Sequence, residues 1–210
     1  GEPYKPSAIR GYDGVIRAIL VPEFGHLRLS AITRKRVQEL VDKLARTDIA
    51  PATVANALVP LRVIYRRAID REEIHSNPTE RLRLPRDRRT RERIAEPREV
   101  EALLAALDEK HRLIWSFAVY TGLRKGELRA LRWENIDLEA GILKVEHSYD
   151  PVAGLVSPKS ESGRRRVPIP QVLAPELVAH MARQSGQTEF VLANTKGNPF
   201  DGSNVYRVCH

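Results

Sequence analysis

The chain has 210 residues, a formal net charge of +8 and 42% hydrophobic residues, which suits one large or two small domains with packed cores and excludes a largely disordered chain. Its single cysteine, Cys209, excludes an intramolecular disulfide framework and a cysteine-based zinc site. No apolar run reaches the about 18 residues that a membrane-spanning helix needs. Of the 35 basic residues, 27 are Arg and 8 are Lys. Such a balance fits either a polyanionic partner such as nucleic acid or a basic surface with no partner. The start, Gly1-Glu-Pro-Tyr4, has no signal-peptide pattern. With the lone thiol it leads us to expect a cytoplasmic protein.

Residues 6–20 carry Ile9, Tyr12, Ile16 and Ile19 at helical spacing behind the start signals Pro6 and Ser7. Gly11 and Gly14 each weaken that helix by about 1 kcal/mol relative to Ala, so packing must hold it. Pro22-Glu-Phe-Gly25 is read as its break. Thr33 is the N-cap of a second helix with Val37, Leu40, Val41 and Leu44 on one face. Ala50-Pro51 opens a third, with Val54, Leu58, Leu61, Tyr65 and Ala68. Pro60 inside that pattern predicts a kink. A short fourth helix is expected near residues 72–82, interrupted by Asn77-Pro78. Amphipathic helices with short connections and no strand signal predict a small helical bundle over residues 1–84.

Two of these helices have basic faces. Arg34, Lys35 and Arg36 begin the second, and Arg62, Arg66 and Arg67 line the third. A charged face is the ordinary solvated side of a surface helix. Here Arg62 and Arg66 stand four apart with no acid between Val54 and Ile69, which favours contacts with phosphates and some base edges. The next run, Arg81-Leu-Arg-Leu-Pro-Arg-Asp-Arg-Arg-Thr-Arg-Glu-Arg93, holds seven arginines and two acids in thirteen residues. It has no periodicity, and residues 85–95 are read as an interdomain linker. Its like-charge repulsion is relieved by phosphates, so Arg86, Arg88, Arg89 and Arg91 are expected to touch nucleic acid.

Residues 96–210 read as a second domain. A helix over 97–107 carries Val100, Leu103, Leu104 and Leu107. The apolar run Leu113-Ile-Trp-Ser-Phe-Ala-Val-Tyr120 predicts a buried helix that Gly122 ends. Another helix starts near Lys125, with Leu128 and Leu131 on one face. Arg124 lies in the turn between them, beside a helix N-terminus, where a planar guanidinium fork can meet a phosphate. Glu127, three residues on, either pairs with Arg124 and orients it or is a carboxylate favoured by the helix dipole. Gly141 allows a turn before a strand at residues 142–146, and a second strand ends in Arg165-Arg-Val-Pro-Ile169. The polar tip Ser157-Pro-Lys-Ser-Glu-Ser-Gly163 lies between them, giving a β-hairpin or small sheet that carries Lys159.

The string Thr121-Gly-Leu-Arg-Lys-Gly-Glu-Leu128 resembles the first catalytic box of the tyrosine recombinases, the phage-integrase family. Pro158-Lys-Ser-Glu-Ser-Gly-Arg-Arg-Arg-Val-Pro168 resembles the family's Pro-Lys-Thr…Arg-x-Val-Pro hairpin, with Ser160 where Thr is frequent. Val21-Pro-Glu-Phe-Gly-His-Leu-Arg-Leu-Ser-Ala-Ile-Thr33, Ala50-Pro-Ala-Thr-Val54 and Asn77-Pro78 are similar, in this order, to its SAM-like core-binding domain.

The resemblance implies a mainly α protein: a SAM-like bundle, then a truncated α+β catalytic domain with a small β-sheet or hairpin. It implies that Arg124 binds the scissile phosphate, that Lys159 protonates the departing 5′ oxygen, and that Glu127 supports Arg124. The implied partner is double-stranded DNA at a recombination site, gripped by a C-shaped clamp, with self-association as a dimer or tetramer at full length. No metal or cofactor is implied. The implied activity is site-specific recombination through a 3′-phosphotyrosyl intermediate; the alternative is a non-catalytic DNA-binding protein derived from an integrase.

The family also needs a His-x-x-Arg box and a nucleophilic Tyr. His180-Met-Ala-Arg183 and Tyr206 imitate them. However, His180 and Arg183 fall on the helix of Leu173, Leu177 and Met181, directly after the hairpin. Phe190-Val-Leu-Ala-Asn-Thr-Lys-Gly-Asn-Pro199 resembles the segment that precedes the true box. His180, Arg183 and Tyr206 are therefore expected to be decoys, and the chain is expected to stop before the box.

Overall fold

The computed structural model describes residues 4, 6–86, 94–158, 163–184, 186–202 and 205. The chain divides into two compact units, Gly1–Glu92 and Arg93–His210.

In the first unit, α1 (Pro6–Val15) passes through a π-helical turn (Ile16–Leu20) into α2 (Val21–Phe24). Pro22 does not break the helix. It stands in the first turn of α2, while the Val21 N–H bonds the Ile16 carbonyl five residues back. The wider turn removes the need for the N–H that proline lacks. The stop comes at Gly25, where a Cβ would lie 2.6 Å from the Val21 carbonyl oxygen. The π turn also rotates the apolar face. Leu20 and Phe24 are buried and Ile9 is exposed, while Ile16 and Ile19 only flank the core.

Thr33 caps α3 (Arg34–Ala45), its hydroxyl accepting the Arg36 N–H at 3.4 Å. The third apolar stripe is two helices, α4 (Pro51–Ala57) and α5 (Val59–Asp70), joined at Leu58. The expected kink is thus a break, and Pro60 falls in the first turn of α5, where a missing N–H is harmless. Val54, Leu58, Leu61, Tyr65 and Ala68 are all buried. The Tyr65 hydroxyl donates to the Leu29 carbonyl at 2.7 Å, tying α5 to the loop before α3.

The expected fourth helix does not form. Glu72 and Arg81 take positive φ, 61° and 54°. Pro78 disfavours α geometry at Asn77, whose Oδ1 instead accepts the Thr79 N–H at 3.0 Å and the Thr79 hydroxyl at 2.6 Å. That side-chain turn outcompetes a helical one. Beyond it Leu82 and Leu84 pack on the core, and Gln38 exchanges two hydrogen bonds with the Arg83 backbone, at 2.8 and 3.0 Å. The first residues of the arginine-rich run therefore belong to the fold of this unit.

The second unit opens with α6 (Pro97–Ala106) and α7 (Glu109–Thr121), the latter capped by Asp108. After α8 (Lys125–Ala130) come β1 (Ile136–Asp137), β2 (Ile142–Val145), β3 (Ser148–Asp150), β4 (Gly154–Val156) and β5 (Arg165–Pro168). Strands β1, β2 and β5 form an antiparallel sheet in the order β1-β2-β5, with Leu143 opposite Val167 and Val145 opposite Arg165. Strands β3 and β4 pair as a separate hairpin that the sequence reading missed. Asp150 shapes its turn by accepting the Val152 and Ala153 N–H groups. In α9 (Ala174–Gln184) Leu177 is buried. Met181, expected on the same face, is exposed because the last turn runs past the core. Phe117, Leu143, Leu173, Leu177 and Val191 are completely buried at its centre. Among the described residues no helix is long and apolar enough to cross a membrane.

Tyr65→Phe removes the hydroxyl that donates to the Leu29 carbonyl and should cost about 1–2 kcal/mol. Urea unfolding with unchanged far-UV circular dichroism checks this.

Candidate functional site

The turn from α7 to α8 is built residue by residue. The Thr121 hydroxyl donates to the Phe117 carbonyl and accepts the Leu123 N–H at 3.4 Å, which closes the end of α7. Gly122 takes φ +63°, a left-handed stop that side chains resist. Leu123 and Leu128 are buried and anchor the turn in the core. At Gly126 a Cβ would run into the Ser148 hydroxyl, so glycine lets β3 approach α8 closely. The platform is fixed on its far side too. The Arg129 guanidinium lies 4.7 Å from the Tyr149 ring centre, and its Nε donates to the Phe200 carbonyl at 2.9 Å.

This leaves Arg124 at the mouth of the turn, with 76% of its side chain exposed. Glu127 is held beneath it at 6% exposure. One Glu127 oxygen accepts Arg124 Nη1 at 2.9 Å and Arg165 Nη1 at 3.1 Å. The other accepts the Arg124 backbone N–H at 2.9 Å and Arg165 Nη2 at 2.8 Å. Burial pushes the Glu127 carboxyl up, but hydrogen bonds from Arg165 and from the Arg124 backbone and side chain, with the Arg165 charge, outweigh it and hold it down at about 2. Glu127 in turn raises the Arg165 guanidinium, the hydrogen bond being the main cause. Of the two roles open to Glu127, the ion pair dominates. The helix it begins has only six residues, so its dipole is a minor contribution beside two guanidinium groups.

Arg165 was not singled out from the sequence. A signal existed: at the start of β5 it shares a face with Val167, which packs on the core. An arginine at an inward strand position calls for a buried carboxylate. Lys159 lies outside the described residues, as do Arg88, Arg89, Arg91 and Tyr206.

His180 and Arg183 are engaged elsewhere. His180 Nε2 lies 2.7 Å from the Val191 carbonyl oxygen, and its ring stands 5.8 Å from that of Trp133. Arg183 pairs with Glu109 at 2.7 Å. In the first unit Arg34 and Lys35 are exposed on the first turn of α3. Arg66 is exposed and Arg62 half-exposed on α5, and Arg86 is exposed at the end of the described segment. None of these five pairs with an acid among the described residues. Among those residues, too, no group of three His, Cys, Asp or Glu side chains could hold a metal ion.

Residues 93–210 match the model of the phage integrase family, and the chain belongs to that family. It is 34% identical over 119 residues to the prophage integrase IntR of Escherichia coli K12, covering 57% of this chain and 29% of that protein. It is 25% identical over 237 residues to a XerC-like tyrosine recombinase of Caldanaerobacter subterraneus, covering 97% of this chain and 60% of that one. The chain thus spans less than two thirds of either relative. Its fold is similar to that of the Tn1549 transposon integrase in complex with transposon right end DNA, with a TM-score of 0.82 at 18% identity over 96% of this chain and 70% of that one. It is also similar to a lambda integrase tetramer bound to a Holliday junction, with a TM-score of 0.72 at 19% identity over 100% of this chain and 58% of that one. These findings bear out the family and the fold class expected from the arginine turn and the hairpin string.

The folded value of about 2 for Glu127 lies below its ordinary 4.5. Its stabilisation is therefore complete above pH 4.5 and is lost as pH falls through that window toward 2. At about 1.4 kcal/mol per unit this is roughly 3 kcal/mol. Urea unfolding between pH 7 and pH 3 should show wild type losing about 2 kcal/mol of this increment and Glu127→Gln, already destabilised, not losing it.

Proposed function

We propose that the chain is the DNA-gripping part of a site-specific tyrosine recombinase. Residues 1–84 act as the core-binding domain, 85–95 as a basic linker, and 96–210 as an incomplete catalytic domain. The partner is double-stranded DNA at a recombination site in the cytoplasm, with a dimer or tetramer forming on it at full length. Arg124 holds the scissile phosphate, Glu127 fixes Arg124, and Lys159 gives a proton to the departing 5′ oxygen. The observation that carries the reading is the exposed Arg124 guanidinium set on a buried carboxylate in a rigid turn. A fixed cationic donor aimed at one phosphate stabilises the charge that develops there without reorganising. Arg34, Lys35, Arg62 and Arg66 supply the sequence-independent attraction and some of the base contacts. That none of these four pairs with an acid among the described residues supports that role.

We further propose that these 210 residues bind DNA without cutting it. A phosphotyrosyl link needs an aligned nucleophile and several cationic donors on the phosphoryl oxygens. The engagement of His180 with Val191 and of Arg183 with Glu109 supports their being structural.

Three measurements test these readings. DNA titrations at several salt concentrations should give a steep log–log slope. Changing Arg86, Arg88, Arg89 and Arg91 together to Ala should flatten it by about 3.6, at about 0.9 per lost phosphate contact; an unchanged slope removes the linker from the interface. In the full-length recombinase, Arg124→Ala should lower cleavage about 10²–10³-fold and spare affinity by comparison, and a wild-type rate would refute the assignment. A nicked substrate run on a denaturing gel should trap no covalent adduct with the 210-residue chain. An adduct lost in Tyr206→Phe would return His180 and Arg183 to the active site.

A further inference from the structure

Arg124 and Arg165 share one carboxylate unequally. Arg165 offers both terminal nitrogens, one to each Glu127 oxygen, at 3.1 and 2.8 Å. Arg124 spends only Nη1 on that carboxylate, at 2.9 Å. Among the described residues its Nε and Nη2 have no partner. The exposures follow the same division, 30% for the Arg165 side chain and 76% for that of Arg124. The two-pronged partner is the better counterion, because a guanidinium fork matches the two carboxylate oxygens.

Taken as three charges, the cluster is net +1. Were Arg165 absent, the buried carboxylate would have Arg124 alone, and the pair would be neutral toward an approaching anion. Resting on the reading of Arg124 as the phosphate grip, we propose that Arg165 is a positioning residue that absorbs the charge of Glu127 and leaves Arg124 cationic toward a phosphate. Glu127 supplies the geometry of Arg124, and Arg165 prevents that geometry from costing Arg124 its charge. Neither needs to touch the phosphate. Arg165 also reaches the Gly163 carbonyl at 3.4 Å, so its place is set by β5 as well as by Glu127.

The test uses the 210-residue chain with inorganic phosphate as probe, at constant ionic strength, following arginine side-chain NMR signals. Wild type should bind saturably, and Arg124→Ala should lose that binding. Arg165→Met should weaken it on the order of tenfold, the scale of one uncompensated charge nearby. Adding Glu127→Gln to Arg165→Met should return the affinity to within about threefold of wild type, since the net charge is again +1. A purely structural role for Arg165 would leave the double variant as weak as Arg165→Met alone, and that result would overturn the proposal. So would an unchanged affinity in Arg165→Met alone. Comparing the double variant with wild type keeps the test valid if the single variant folds poorly, because the double variant has the same net charge and leaves no buried unpaired charge. If Arg124→Ala binds phosphate as wild type does, the phosphate-grip reading itself is refuted, and the proposal with it.

Discussion

A carboxylate at 6% exposure cannot remain ionised without compensation. At Glu127 that compensation comes from two arginines, one in the turn before α8 and one on β5, and from the backbone N–H of the first. The group therefore joins pieces of chain that are 38 residues apart. Replacing such a cluster by apolar groups can be neutral for stability, whereas removing one partner leaves a stranded charge. The arrangement thus makes the arginine turn and the start of β5 depend on each other, and the direction of Arg124 follows from that dependence.

The backbone prepares the turn before any charge acts. The Thr121 hydroxyl seals the end of α7, Gly122 reverses the chain, and Gly126 admits the β3–β4 hairpin against α8. Leu123 and Leu128 sink the two sides of the turn into the core. Arg129 is spent on the Tyr149 ring and the Phe200 carbonyl, which steadies the same hairpin. In the proposed role this matters because a donor stabilises developing charge only if it is held in place beforehand. The first unit makes a different contribution. Its basic residues stand exposed on helices whose apolar faces are locked in a core, and in the proposed role they offer field and contact area to a polyanion rather than one aimed donor.

The sequence by itself determined the helices with strong caps and clean apolar spacing. Thr33, Asp108 and Gly122 end or begin helices as their chemistry requires, and Val54 through Ala68 are buried in register. It also determined the family, because Thr121 to Leu128 is a local string whose residues serve one turn. Tertiary structure alone decided the rest. Pro22 was absorbed by a π turn and Pro60 by a helix start, since neighbouring turns can rearrange around a missing N–H. The pattern near residues 72–82 became a side-chain turn because Asn77 offered Thr79 a better acceptor than a helix would. The β3–β4 hairpin has strands too short to leave a periodicity. Arg165 became part of the site only when β5 came beside α8, because a charge is neutralised by what lies near it in space and not by what lies near it along the chain.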